Sequence, residues 1–495
     1  MDLAAALFPG FMARRRLAQA QLEHATRLYE AAKLSNLHRP RSISRSGNGV
    51  MDHARGKLRD LARDLDENHD LAVAILDDLV NKIVGTGIQI EPMVSLESGE
   101  LDETVNDAIR DVLKRWGRSP EVTGCLPLDE VQRLACRTWL RDGELLIQHV
   151  VGRRSDLDYP SGIPYALEML ESDYIPYDLI DEARNIVHGV QLNAWGKPTG
   201  YYVYLRHPGD TFRASAIALN QPTKRISAEA ATHLKWVRRF GQVRGTSIFH
   251  AVLNRLDDIK DYEESERIAA RVAAAMCAYV KKSADFANLT PTSSTTGERY
   301  MEMVPGMIDT SLLPGEEIGT ISHTRPSTQL EPFRNAMLRA AAAGTGATYS
   351  SVSRNYDGTY SAQRQEMVEA SLNYARMRNL FVSCFLRPVY ERLINVAILS
   401  GELSIPRTVD ESLFNADFRG PSMPWIDPLK EVQADRERID ARIASRHQVI
   451  RERGGDPIAV DKQIERERAN DPAPPVMVAP VEDAADDEQS DEEAA

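Results

Sequence analysis

The stretch Ala343-Gly344-Thr345-Gly346-Ala347-Thr348 comes nearest in this chain to a phosphate-binding loop. It lacks the lysine that neutralises the β- and γ-phosphates in such loops, so nucleotide chemistry has no anchor there. No HExxH, GxSxG or strand-following GxGxxG occurs, which removes the usual residues of zinc hydrolysis, serine acyl transfer and dinucleotide binding. The 11 histidines never fall four apart, nor into a cluster with cysteines. Adjacent acids at Asp77-Asp78 and Asp257-Asp258 point to different sides of a helix and read as solvated faces. Cys125, Cys136, Cys277 and Cys384 are scattered without CxxC spacing, as expected of reduced thiols in a reducing compartment. The chain is expected to be no enzyme, with no catalytic residues, no cofactor and no metal.

One local feature remains. Residues 345–360 place Arg354, Asn355, Tyr356, Asp357 and Gly358 between two helical patterns. Asn-Tyr-Asp-Gly is a turn signature, in which Asp bonds its own backbone and Gly supplies a positive φ. An ordinary interhelical turn is the plain reading. Yet roughly fifteen residues is long for a helix–helix connection and favours a functional loop. Arg, Asn and Tyr at its tip suit contacts to sugar and phosphate.

The elements that must hold this loop are legible as patterns. Residues 331–343 look helical before it. A long helix over 361–399 follows, with a seam of Met367, Ala370, Tyr374, Met377, Phe381 and Cys384, and Pro388 predicts a kink in it. Upstream, 247–282 reads as one long helix of about 54 Å, rich in small residues in its second half. Ala269, Val272, Ala273 and Met276 there would let a neighbouring helix approach closely, and a long core helix is the plain reading. Residues 283–329 predict a small β-containing insertion. Helices are expected over 13–36, 52–84 (with an N-cap near Asn68–Asp70 and a stop at Gly85), 102–116 and 128–141. Strands are expected over 144–151, 165–170 and 232–237. A hairpin joins 186–193 to 200–206 around Gly196, Lys197 and Pro198. A Pro-rich connector with Trp425 spans 419–428, and a charged helix follows over 428–453. With no alternating βαβ units, the fold class is mixed α/β of the α+β kind, dominated by helix.

Composition bounds the rest. The 495 residues are 42% hydrophobic and 27% charged, enough for two to four domains with a real core. No apolar run approaches the roughly 18 residues of a membrane span. The first residues are no signal peptide, because Arg14–Arg16 follow the apolar patch and Pro9-Gly10 interrupts it. The net charge of -13 hides an asymmetry: residues 1–63 carry twelve basic and five acidic side chains, and 471–495 carry nine acidic and no basic ones. That tail is expected to be disordered and dispensable for assembly.

RNYDGTYSAQRQEMVEA (354–370) resembles the signature of lambda-type tailed-phage portal proteins. So do RRFGQVRGTSIFHAVLNRLDDIKDYEESERIAARVAA (238–274), LARDLDENHDLAVAILDDLVNKIVGTGI (61–88), RDGELLIQ (141–148) and PSMPWIDPLKEVQAD (421–435), in order over roughly residues 50–465. The resemblance implies a dodecameric ring at one capsid vertex, the head–tail connector, which passes double-stranded DNA without sequence specificity during packaging, retention and ejection. It further implies docking of the terminase large subunit and of head–tail adaptors, contact with the major capsid or scaffold protein, and no membrane. The place would be the virion, with host cytoplasm during assembly. The implied parts are a basic arm over 1–50, an α/β wing over 51–245, a first stem helix over 246–282 and a clip over 283–329. A second stem helix over 330–344, a tunnel loop over 345–360 and a kinked wing helix over 361–402 follow. A crown over 403–470 and the acidic tail complete the chain. The rival readings are a packaging enzyme of terminase or nuclease type, and a capsid or tail protein that forms no ring.

Overall fold

Apolar residues at spacings of three and four build the first elements, α1 (Gly47–Asn68) and α2 (Asp70–Ile83), with His69 between them in an extended conformation. Ile75, Leu76, Leu79 and Ile83 of α2 are fully buried. The computed structural model describes residues 46–210, 222–274, 278–282, 316–320, 330–405, 412–421, 428–453, 455 and 457–470. The expected helix over 13–36, Met276, most of 283–329, Trp425 and the tail 471–495 lie outside the described residues. The chain divides into two compact units, 1–55 with 238–243, and 56–237 with 244–495. In the first, the Asn48 side chain donates to the Gly241 carbonyl at 3.0 Å and accepts from the Val243 N–H at 2.9 Å. The second unit holds the core.

Strand β1 (Gln89–Pro92) leads to α3 (Glu103–Trp116), whose N-terminus is capped by the Asp102 carboxylate accepting from the Val105 N–H at 3.1 Å. Helix α4 (Leu128–Asp142) runs into β2 (Glu144–Val151), the middle strand of an antiparallel sheet between β3 (Tyr165–Glu171) and β8 (Ala231–Lys235). Leu145, Leu146, Ile147 and Val150 of β2 are all buried, so this central strand reads as a near-continuous apolar run instead of alternating. A second sheet orders β4 (Ile186–Val187), β5 (Val190–Leu192), β6 (Pro198–Tyr204) and β7 (Thr223–Ser227) as a meander. The β5–β6 hairpin turns at Gly196, as its sequence predicts, and holds Trp195 at 93% exposure.

The long helix expected over 247–282 is shorter. A 3-10 turn (Ile248–Ala251) precedes α5 (Leu253–Ala274), and Ala278–Lys282 is a strand, β9, paired antiparallel with β10 (Glu316–Thr320). Tyr and Val at 279 and 280 favour extended backbone, and the backbone register pairs position 281 with 317 and 282 with 316.

Helix α6 (Leu330–Thr345) packs on α5: the Tyr262 and Phe333 rings lie 4.9 Å apart and Arg334 pairs with Glu263. After α7 (Tyr349–Ser353), α8 (Tyr360–Phe381) continues through a π-helical segment (Val382–Leu386) into α9 (Arg387–Leu399). The wide turn lies immediately before Pro388, which cannot donate to the carbonyl one turn back. Tyr374, Met377, Phe381 and Phe385 carry the buried seam, while Cys384 is only partly covered. Strand β11 (Ala416–Arg419) pairs with β1. The charged stretch after it is three helices, α10 (Pro428–Asp440), α11 (Arg446–Glu452) and α12 (Pro457–Asn470). Arg442, at φ 57°, breaks the first from the second.

Candidate functional site

The connection between α6 and α8 is not one open loop. Val352 of α7 is buried and the Ser353 hydroxyl donates to the Tyr349 carbonyl at 2.7 Å, so a single helical turn forms inside it. Arg354 ends that turn in the left-handed region, φ 55° and ψ 22°. The expected assignment is therefore corrected: the positive φ sits on Arg354, and Gly358 is outside the left-handed region. The turn is also closed by a different side chain. Asn355 Oδ1, not the Asp357 carboxylate, accepts the Asp357 N–H at 2.8 Å, and the Asn355 N–H donates to Ser353 Oγ at 3.2 Å. The Tyr356 carbonyl accepts from the Gly358 N–H at 2.8 Å and from the Gln363 carboxamide. The outcome is a tip closed by its own hydrogen bonds. Arg354, Tyr356, Asp357 and Gly358 are exposed, Asn355 is half-buried, and Arg354 makes no ion pair with another described residue.

Tyr356 also borders a cavity of about 840 Å³ lined by Met367, Tyr374, Arg378, Phe418 and Pro421 among others. Arg378 closes the end of α2, donating to the carbonyls of Lys82 at 2.7 Å and Ile83 at 3.0 Å, and to that of Pro421 at 3.0 Å. Burial lowers the pKa of this guanidinium. Beside it the Tyr374 hydroxyl donates to Asp78 Oδ2 at 3.2 Å, and burial raises the Asp78 carboxyl. Sequence spacing gave no sign of this cavity, because its walls come from segments some 300 positions apart.

The segments RDGE (141–144) and RGTS (244–247) meet in the core. Arg244 and Glu144 are both buried, with Nε 2.8 Å and Nη2 2.5 Å from Glu144 Oε1. Arg244 also donates to the carbonyls of Ser172, Ile175 and His188, and His233 Nε2 lies 3.0 Å from Glu144 Oε2. The Arg244 charge beside Glu144 holds its carboxyl far below the usual range, against the opposing cost of burial. Two glycines allow the approach: a Cβ on Gly143 would overlap the Thr246 backbone, and one on Gly245 would overlap the Gly143 carbonyl.

Of the candidate packing residues, Ala269 is half-buried on α5, Val272 and Ala273 belong to its last turn, and Met276 lies outside the described residues. Ile268 beside them is 50% exposed. Elsewhere, Glu171, Asp173 and His207 each bring one possible ligand atom within 4.8 Å of the others. Arg63 Nη2 already lies 3.2 Å from Glu171 Oε2 and 2.6 Å from Asp173 Oδ2, so a protein cation serves both carboxylates. No described helix is long and apolar enough to cross a membrane.

The family model for phage portal protein, lambda family, matches residues 35–378, well over half of the chain and including the tip at 354–358. The chain belongs to the lambda family of phage portal proteins. It is similar to the probable portal protein of Halomonas phage phiHAP-1, 26% identical over 87% of this chain and 84% of that one. The portal protein of Escherichia phage N15 is 24% identical over 84% of each chain, and portal protein B of Escherichia phage lambda is 25% identical over 56% of each. Among solved structures, a chain in the neck of a native gene transfer agent particle is similar at 13% identity, over 80% of this chain and 94% of that one, with a TM-score of 0.43. As a portal-family member the chain is a structural subunit, and the α+β, helix-dominated fold class stands.

Proposed function

We propose that twelve copies form a closed ring at one capsid vertex, through which double-stranded DNA is packaged, held and ejected. The family match to residues 35–378 carries this reading. In the same reading the ring performs no catalysis itself. It offers a docking platform to the terminase large subunit on one side of assembly and to head–tail adaptors afterwards, and it meets the capsid or scaffold protein around its rim. Residues 51–245 serve as wing, α5 and α6 as stem, β9 and β10 as part of the clip, 345–360 as tunnel loop, 361–402 as kinked wing helix, and 403–470 as crown. Cyclic symmetry repeats each axial side chain around the ring, so one arginine per subunit becomes a belt of charge.

The tip at 354–358 then lines the narrowest part of the channel. Arg354 is the side chain for transient phosphate contact, with Asn355 and Tyr356 as neutral partners. Its exposure, its lack of an ion pair among the described residues and the hydrogen-bonded turn beneath it support that role. Sliding DNA needs weak contacts of this kind, because phosphate contacts carry no sequence information. Arg354→Ala should leave ring mass and Tm unchanged while DNA retention in filled heads falls. A lowered ring Tm with normal retention would instead make Arg354 an inter-subunit ion-pair partner.

A further inference from the structure

We propose that the cavity beside Tyr356 is the docking groove for this chain's own carboxy-terminal segment, residues 472–481 (PAPPVMVAPV), with the acidic run after it lying along the cavity's cationic side. The cavity has the chemistry for such a guest. Tyr356, Tyr374 and Phe418 give it aromatic walls, and Leu372 at its edge is 73% exposed. Aromatic-lined grooves take proline-rich extended segments because such segments have little conformational entropy to lose. Pro472, Pro474, Pro475 and Pro480 flank Val476, Met477 and Val478, the one apolar stretch in a tail otherwise crowded with nine acids.

The charges agree. Lys82 and Arg378 line the cavity and neither has a carboxylate within ion-pair distance among the described residues; Arg378 is held by carbonyls. Arg451 lines it too, with a buried Nε that has no hydrogen-bond partner. The cavity's three acids each have a partner: Glu366 the Ser350 hydroxyl, Glu452 Arg438 at 3.1 Å, and Asp417 Arg419 at 3.8 Å.

The tail also starts close enough. A chain of ion pairs links the groove residue Arg419 through Glu91 and Arg110 to Asp107, and Asp107 to Lys462 of α12 at 3.1 Å. Asn470 is eight residues further along that helix, about 12 Å. Val476–Val478 lie six to eight residues past Asn470, an extended reach of about 20–27 Å towards the groove of their own subunit.

The test uses the full-length chain and a fluorescein-labelled peptide of residues 471–495. Docking of the native tail should hold the groove against the free peptide, since a tethered segment competes at an effective concentration near millimolar. Peptide anisotropy should therefore show saturable binding to the Val476→Glu/Val478→Glu chain and at least tenfold weaker binding to the natural chain. Adding Leu372→Glu, an exposed position, to that double variant should weaken binding at least tenfold. Equal binding to natural and double-variant chains, or indifference to Leu372→Glu, overturns the proposal. So does binding to neither chain.

Discussion

Glu144→Gln removes the counter-ion of Arg244 and leaves a guanidinium with no exposure to water. Breaking one side of such a buried pair costs about 3–5 kcal/mol, so denaturant unfolding should shift by an amount of that order. Replacing both partners with apolar residues of similar volume should restore much of the loss; a single variant as stable as the natural chain would contradict the reading. Nothing in the sequence announced this pair. RDGE and RGTS were visible as segments, but their contact joins positions 100 residues apart. His149 contributes one pH dependence. Burial, aided by the charge of Arg392, holds its pKa down at about 4, and its ring nitrogens meet the Tyr165 hydroxyl at 2.8 Å and Thr232 Oγ1 at 2.9 Å. Above pH 6.5 the ring is neutral in both folded and unfolded chains and adds no slope. As pH falls from 6.5 towards 4 the unfolded chain takes up a proton that the folded one refuses, so stability drops by about 3 kcal/mol. Buried His233 shifts in the same direction. Tm should fall across that window and fall less in His149→Gln; an unchanged slope would assign the effect elsewhere.

Among the elements, those with a strong local signal matched the sequence reading: the hairpin at Gly196, the strand Glu144–Val151 and the helices over 103–116 and 128–142. Errors arose where local patterns compete. The alanine-rich run into 278–282 has helical spacing, yet Tyr279 and Val280 favour extended backbone, and 278–282 pairs as a strand with 316–320. The loop at 345–360 hid one helical turn, because Val352 is a single buried apolar residue and leaves no periodicity to detect. The same loop's αL position fell on Arg354 although Gly358 was available. A left-handed arginine costs about 1–2 kcal/mol against glycine, a strain that fits a side chain kept for function. At this scale the packing proposal is testable. Ala269 is half-buried on α5 next to exposed Ile268, so Ala269→Trp should overpack a neighbouring helix and lower ring yield in sedimentation while far-UV circular dichroism stays unchanged. Undiminished rings would remove α5 from the subunit interface.

For the whole molecule, the sequence carried the family and fold class because long segments matched the portal pattern in sequence order, and the family model bears this out over residues 35–378. The cavity beside Tyr356 was illegible because residues from both halves of the chain build it. Charge distribution is consistent with a conduit: between the basic first 63 residues and the acidic tail, residues 64–470 carry 48 basic and 59 acidic side chains, a net charge of -11 that discourages tight arrest of a polyanion. The account rests on the ring and on the place of the tip within it. Electron cryomicroscopy of the purified full-length chain tests both together. The expected map shows a closed ring with an axial channel whose narrowest point is formed by residues 354–358 from every subunit. A chain that stays monomeric at high concentration, or a ring carrying those residues on its outer rim, would contradict it.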